Sequence, residues 1–348
     1  MKNSLEKTQI GSINILRFMA AMSVMMYHYT FMFYQRGTTY LDFGILRSFF
    51  HYGYLGVDLF FIISGFVVAL SAEGRNFREF LSSRVTRLYP ILWISATLTF
   101  IVSSIWGYVV GLHTTFATYI TNLTMVPTLF GQGIIDGSYW SLTVELKFYA
   151  FVGALILLGL FRYIGRIATL LAPILFITVF FFGLAPNYIA NFIAGMLFYT
   201  IYKEGLSSST GIASLLMLAV STKYATHFAQ SLSEGYHTVF SPYVIGAYIV
   251  AFYILFFGIA TQKITVSNTK ILTVLGALTY PVYLLHQEIG RIFFKIVENA
   301  GWNNWIAFVL VSGMVIGVAY LLQAYYEKAA QRILRNTLSR ILKIKKRI

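Results

Sequence analysis

A handful of ionisable side chains stand inside stretches that are otherwise apolar. Arg17 and His28 fall in NILRFMAAMSVMMYHYTF, eleven residues apart. Eleven residues make three helical turns, only ~20° out of register, so both point to one face, roughly 16 Å apart along the axis. Asp58 lies in GYLGVDLFFIISGFVVAL, Glu145 in GSYWSLTVELKFYAF and His286 in TYPVYLLHQEIGR. A charge at the centre of a membrane helix costs about 3 kcal/mol or more and marks a functional site by default. A carboxylate level with an imidazole orients it and stabilises its cation, the arrangement of a base-orienting dyad. Each group also has a bland reading: a snorkelling Arg17, a His28 hydrogen-bonded to a neighbouring helix, an Asp58 in a salt bridge or a helix-dipole contact. Arg84 and Arg87, in EGRNFREFLSSRVTRLYPILW, sit at i and i+3 and share a helix face. Paired guanidinium forks fit phosphates bidentately. Ordinary positive-inside charge explains the same residues without any particular spacing.

The elements that must carry these groups follow from composition. The chain has 348 residues, 58% hydrophobic and only 11% charged, with a mean hydropathy of +0.71. A soluble globule carries about 25% charged residues, so a water-soluble domain and a disordered chain are both excluded. The fold class is all-α, a polytopic membrane helix bundle. No cysteine occurs, which removes disulfides, thiolate zinc sites, iron–sulfur clusters and cysteine nucleophiles.

A helix crosses a ~30 Å hydrocarbon core in about 20 residues. Runs of that kind lie near 13–33, 53–72, 90–111, 141–161, 166–184, 187–203, 210–222, 243–261, 271–293 and 303–326, the seventh being short. With ten spans and both termini cytoplasmic, 19 of the 26 Lys and Arg fall inside and 5 outside, with Arg17 and Lys147 within spans. That is the positive-inside pattern, and it accounts for the net charge of +14 without nucleic acid. The first span carries Arg17 and reads as a signal anchor rather than a cleaved signal peptide. Residues 1–326 form one transmembrane domain, and 327–348 a basic amphipathic tail lying on anionic lipid at the cytoplasmic face.

In this topology Asp58 stands about 8 Å below the outer edge of its span. His28 and His286 each lie fifteen residues from an inner edge, and Glu145 about one turn deep. Four ionisable groups from four helices therefore share a layer near the outer leaflet. Small residues Ser64, Gly65 and Ala69 on the second span, with Ala20 and Ala21 on the first, are expected to let those helices approach closely. Ser138 or Ser141 is expected to cap the fourth span, and Pro281 to kink the ninth near His286. His51, His113, His227 and His237 fall in outside loops or at their edges. His227 and His237 are ten apart, which is not metal spacing, so no metal is expected.

Taken in order, Arg17 and His28, GVDLFFIISGF at 56–66, the Arg84/Arg87 pair followed by LYPILW, YWSLTVELKFY at 139–149 and YPVYLLHQ at 280–287 resemble the acyltransferase-3 family of integral membrane acyltransferases. That family includes bacterial polysaccharide and lipopolysaccharide O-acetyltransferases. The resemblance covers roughly residues 11–326. It implies transfer of an acyl group, acetyl above all, from cytoplasmic acyl-CoA (acetyl-CoA or another thioester, as co-substrate) to a hydroxyl of a surface polysaccharide or its lipid-linked precursor. The setting it implies is the bacterial cytoplasmic (inner) membrane. No permanently bound cofactor is expected, and the chain resembles the stand-alone type without an extracytoplasmic hydrolase domain.

On this resemblance Arg84 and Arg87 hold the phosphates of coenzyme A and Arg17 assists farther in. His28 is the general base, or alternatively the acyl-carrying nucleophile, because its ordinary pKa near 6.5 lets it trade a proton around neutrality. Glu145, with Asp58 as a second choice, orients it. Tyr139 and Trp140 at the outer mouth stack on the sugar, and His286 is a further acceptor contact. A transporter or flippase for a glycan or small anion is the competing reading, its buried His, Asp and Glu forming a path. The absence of internal repeats and the paired-arginine entrance stand against it.

Overall fold

A computed structural model describes residues 2–184 and 188–344. Every regular element among them is helical. Helix α1 (Lys2–Met26) continues into a π-helical turn, Tyr27–Met32. There follow α2 (Gly56–Ala72), α3 (Phe77–Trp106), the short α4 (Phe116–Asn122), α5 (Trp140–Leu157), α6 (Ile164–Phe181) and α7 (Ile189–Glu204). The chain then forms α8 (Ser208–Tyr236), α9 (Pro242–Ala260), α10 (Lys270–Leu285), α11 (Gln287–Asn299), α12 (Asn304–Leu321) and α13 (Lys328–Ile341).

Local chemistry sets several boundaries. Asn76 and Glu79 form a reciprocal capping box that starts α3, with N···O distances of 3.0 and 3.1 Å. Ser207 and Thr210 do the same for α8. Pro242 occupies the first turn of α9, where no backbone N–H is needed. Gly205, at φ +88°, stops α7 in a conformation that L side chains rarely adopt.

Six helical segments among the described residues are long and apolar enough to cross a membrane: Ile45–Ala72, Phe77–Val110, Gly137–Leu157, Phe161–Phe181, Pro242–Ala260 and Asn304–Ile341. They overlap the expected second, third, fourth, fifth, eighth and tenth spans. The other four expected spans are largely helical among the described residues. The one placed at 210–222 belongs to a 29-residue helix, α8. The one at 271–293 is interrupted at His286, between α10 and α11.

The helices sort into two compact units. The first comprises residues 1–20, 54–75 and 150–276. In it α2 packs on α7 at very close range: a Cβ on Gly195 would come within 2.3 Å of the Ile62 carbonyl oxygen, and one on Gly65 equally close to that of Phe192. Gly65, expected to serve the contact with Ala20 and Ala21, thus meets α7 through Gly195. This is the small-residue packing that membrane helices use in place of a hydrophobic drive. The second unit comprises residues 21–53, 76–149 and 277–348. There the tail helix α13, continuous with α12 through a π-helical turn at Leu322–Glu327, lies along α3, and Arg78 Nη1 donates to the Leu342 carbonyl at 3.2 Å. Lys345, Lys346 and Arg347, the end of the basic tail, lie outside the described residues.

Candidate active site

The second unit holds most of the residues singled out by their chemistry. His28 sits in the π-helical turn, a local widening of the helix that recurs at functional sites. Its Nδ1 lies 2.8 Å from the Val24 carbonyl oxygen and 3.1 Å from Nε2 of His286. The two imidazole rings meet edge to face, with centroids 4.9 Å apart. His28 is half-buried and His286 wholly buried.

The break at His286 has a physical cause in the segment before α5. In a continuous helix the Tyr283 carbonyl would accept from the amide of Gln287. Here it accepts from Ser138 Oγ at 3.1 Å and lies 2.8 Å from His286 Nδ1. Asp136 takes the next amide, its Oδ2 accepting from Glu288 N at 3.0 Å. Pro281 lies five residues upstream, so the interruption comes from side chains diverting the hydrogen-bond ladder rather than from the proline. Tyr29 closes the arrangement: its hydroxyl donates to the His286 carbonyl at 3.0 Å.

Asp136, rather than Ser138 or Ser141, caps the start of this segment. Its Oδ1 accepts from both the amide and the hydroxyl of Ser138, at 2.8 and 2.6 Å. Burial pushes its carboxyl above the ordinary aspartate range, opposed by the hydrogen bonds from Ser138 and Glu288. Ser141 Oγ instead donates to the Ser138 carbonyl and pairs with the Tyr283 hydroxyl.

A second group surrounds the arginine pair. The Arg84 guanidinium is buried between the rings of Phe80 and Tyr149, 5.7 and 5.5 Å from their centroids. Tyr149 in turn donates its hydroxyl to Glu145 Oε1 at 2.6 Å. Glu145, expected to orient the catalytic imidazole, is therefore joined to the arginine group through Tyr149. The hydrogen-bond partners of the His28 ring are a backbone carbonyl and another imidazole, neither a carboxylate. Arg87 is half-buried one turn along α3, and Lys147 is exposed. Tyr139, expected at an outer mouth, is buried in this unit at 3% exposure. Its ring is no open platform for a sugar. Trp140 beside it is half-buried.

Arg17 and Asp58 belong to the first unit. Arg17 is half-buried on α1. Asp58, in the first turn of α2, accepts from Asn191 Nδ2 on α7 at 2.9 Å, with both residues buried. Its carboxylate is thus used in an interhelical hydrogen bond of the kind that joins membrane helices.

Sequence reasoning missed Asp136, Tyr29 and the contact between the two histidines. The equal depth assigned to His28 and His286 was the signal from which their contact could have been found.

A model of the acyltransferase domain matches residues 10–324. The exopolysaccharide production protein ExoZ of Rhizobium meliloti (strain 1021) is 31% identical over 112 residues, 30% of this chain and 34% of that protein. The match spans about a third of that relative's length. No solved structure matches the chain. With the motifs in order, a helical fold and a family match over nearly the whole length, the chain belongs to the acyltransferase-3 family of integral membrane acyltransferases.

Proposed function

We propose that this protein is an O-acyltransferase of the bacterial cytoplasmic membrane. It moves an acyl group, most simply acetyl, from cytoplasmic acyl-CoA to a hydroxyl of a surface polysaccharide or its lipid-linked precursor. The glycan acceptor is supported by the likeness to an exopolysaccharide production protein, and the acyl chemistry by the family.

The observation that carries the mechanism is the setting of the His28 ring. A carbonyl can only accept, so the Val24 oxygen at 2.8 Å holds a proton on His28 Nδ1. In the neutral ring this leaves the lone pair on Nε2, the atom a general base needs. As the acceptor hydroxyl oxygen attacks the thioester carbonyl, His28 Nε2 takes its proton. The tetrahedral intermediate collapses by breaking the carbon–sulfur bond, and the imidazolium returns the proton to the leaving coenzyme A sulfur. Products are the acyl ester and free coenzyme A, with His28 restored. Arg84 and Arg87 bind the phosphates of the donor; Glu145, through Tyr149, holds the Arg84 group in place.

The test is acyl transfer from radiolabelled acetyl-CoA to surface glycan by purified protein in nanodiscs, with mass spectrometry of the glycan. Wild type is expected to give a covalent acetyl ester, and His28→Ala to lose it by at least about 10²-fold, the lower end of what general-base catalysis contributes. Full transfer by His28→Ala overturns the mechanism. Movement of glycan or anion across the membrane without any covalent product overturns the enzyme reading in favour of a transporter.

A further inference from the structure

The buried His286 forms no part of the chemistry above, yet it stands in a dense set of hydrogen bonds in the second unit. Its backbone and ring are held from three sides: Tyr29 OH on its carbonyl, Asp136 on the Glu288 amide two residues later, and Ser138 on the Tyr283 carbonyl. Its own Nδ1 lies 2.8 Å from the Tyr283 oxygen. That oxygen can only accept, so the proton of neutral His286 is on Nδ1 and its Nε2 presents a lone pair. The lone pair lies 3.1 Å from His28 Nδ1. With the His28 proton fixed on Nδ1 by Val24, donor meets acceptor, and one N–H serves both the Val24 carbonyl and the His286 ring.

From this we infer that His286 is the positioning residue of the catalytic base: a neutral imidazole doing for His28 what a carboxylate does in most hydrolytic dyads. The inference rests on His28 acting as the base. When His28 Nε2 takes the proton from the acceptor hydroxyl, its Nδ1–H becomes a cationic donor, and the bond to His286 Nε2 strengthens as charge-assisted hydrogen bonds do. The stabilisation thus arises as the transition state forms rather than in the resting enzyme, which is the kind that raises kcat. A neutral acceptor also avoids holding a permanent anion at membrane depth, where a charge is costly. No proton leaves His28 for His286. The proton that came from the hydroxyl goes back to sulfur from Nε2, and His286 keeps its own on Nδ1 throughout.

Three variants and one spectrum test this. His286→Leu removes the acceptor and is expected to lower kcat about 10²-fold, with KM for acetyl-CoA and for glycan within twofold of wild type. His286→Gln offers an amide oxygen near the place of Nε2 and is expected to recover most of that loss, to within about tenfold of wild type. A residue that only fills space would show the reverse order, since Leu is the better apolar filler. Nitrogen-15 NMR of histidine-labelled protein is expected to show both His28 and His286 as the Nδ1–H tautomer, with the His28 Nδ1 signal moving in His286→Gln. Wild-type kcat in His286→Leu, equal activity in the Leu and Gln variants, or a His28 proton on Nε2 overturns the inference. If His28→Ala is inactive while His286→Leu is fully active, only the positioning role falls. If His28→Ala is itself active, the base mechanism falls with it. Should His286→Leu not fold, the Gln variant and the spectrum decide alone.

Discussion

Gly290 offers a test of the site's geometry at a distance from the reacting groups. It lies on α11 against Tyr29, and a Cβ added there would come within 2.6 Å of the Tyr29 ring edge and hydroxyl. Ordinary contact starts near 3.4 Å, so Tyr29 must retreat by ~0.8 Å, the difference between these two distances. It has little room to do so. Tyr29 is 1% exposed, with Phe33 and Phe294 at ring centroid distances of 5.8 and 4.9 Å. The same shift, taken along the 3.0 Å bond to the His286 carbonyl, lengthens it to at most about 3.8 Å, beyond hydrogen-bond range. Overpacking costs about 1–3 kcal/mol and the lost bond about 1 kcal/mol, so Gly290→Ala is expected to be destabilised by about 2–4 kcal/mol. A displacement of this size in a positioning element costs up to about 10² in rate. The assay pairs acetyl transfer from labelled acetyl-CoA with thermal unfolding in detergent. Gly313→Ala, whose added Cβ meets open space, is the control and is expected to match wild type in both. A Gly290→Ala protein that transfers acetyl and melts like wild type would refute the reasoning.

Two further variants probe the remaining polar groups. Asp58→Leu leaves the buried Asn191 amide without its acceptor and is expected to cost about 1–3 kcal/mol in thermal unfolding, with much of that regained when Asn191→Leu is added. A single variant as stable as wild type would show that the Asp58–Asn191 bond contributes nothing. Arg84→Ala is expected to raise the KM for acetyl-CoA at least about tenfold while kcat changes little, and Arg84→Lys to fall short of rescue because an ammonium lacks the planar fork. An unchanged KM would remove Arg84 from donor binding.

Much of this was legible in the sequence, for reasons that differ from residue to residue. His28 and His286 stood out because an ionisable group inside an apolar run is improbable unless something holds it, and Arg84 because it pairs with Arg87 at i and i+3; neither signal needs a structure to see. The spans were legible because apolar length is a local property. The partners were not. Which helix Gly65 would meet depends on packing between segments more than a hundred residues apart, and nothing in GVDLFFIISGF distinguishes α1 from α7 as a neighbour. The assignment of Glu145 as the orienting carboxylate followed the family resemblance, in which YWSLTVELKFY is built around it. The fold gives Glu145 to Tyr149 at i+4 on its own helix, a contact that helical spacing alone allows. The interruption at His286 was hidden because it arises from Asp136 and Ser138, about 150 residues earlier in the chain, and Pro281 drew attention to the wrong turn. The π-helical turn under His28 likewise has no pattern in YHYTFM to announce it.

The contact between the two histidines also orders events during biosynthesis. His28 leaves the ribosome 258 residues ahead of the ring it meets. At ~5–20 residues per second, that is a wait of roughly 10 to 50 s. Once Arg87 has followed, the nascent chain carries its arginine pair, yet the His28 ring still lacks the imidazole it meets in the finished fold. On the proposed mechanism, the full rate of acyl transfer therefore arrives with the last few helices, and a chain stalled or cleaved before α10 is at least as slow as the His286→Leu variant.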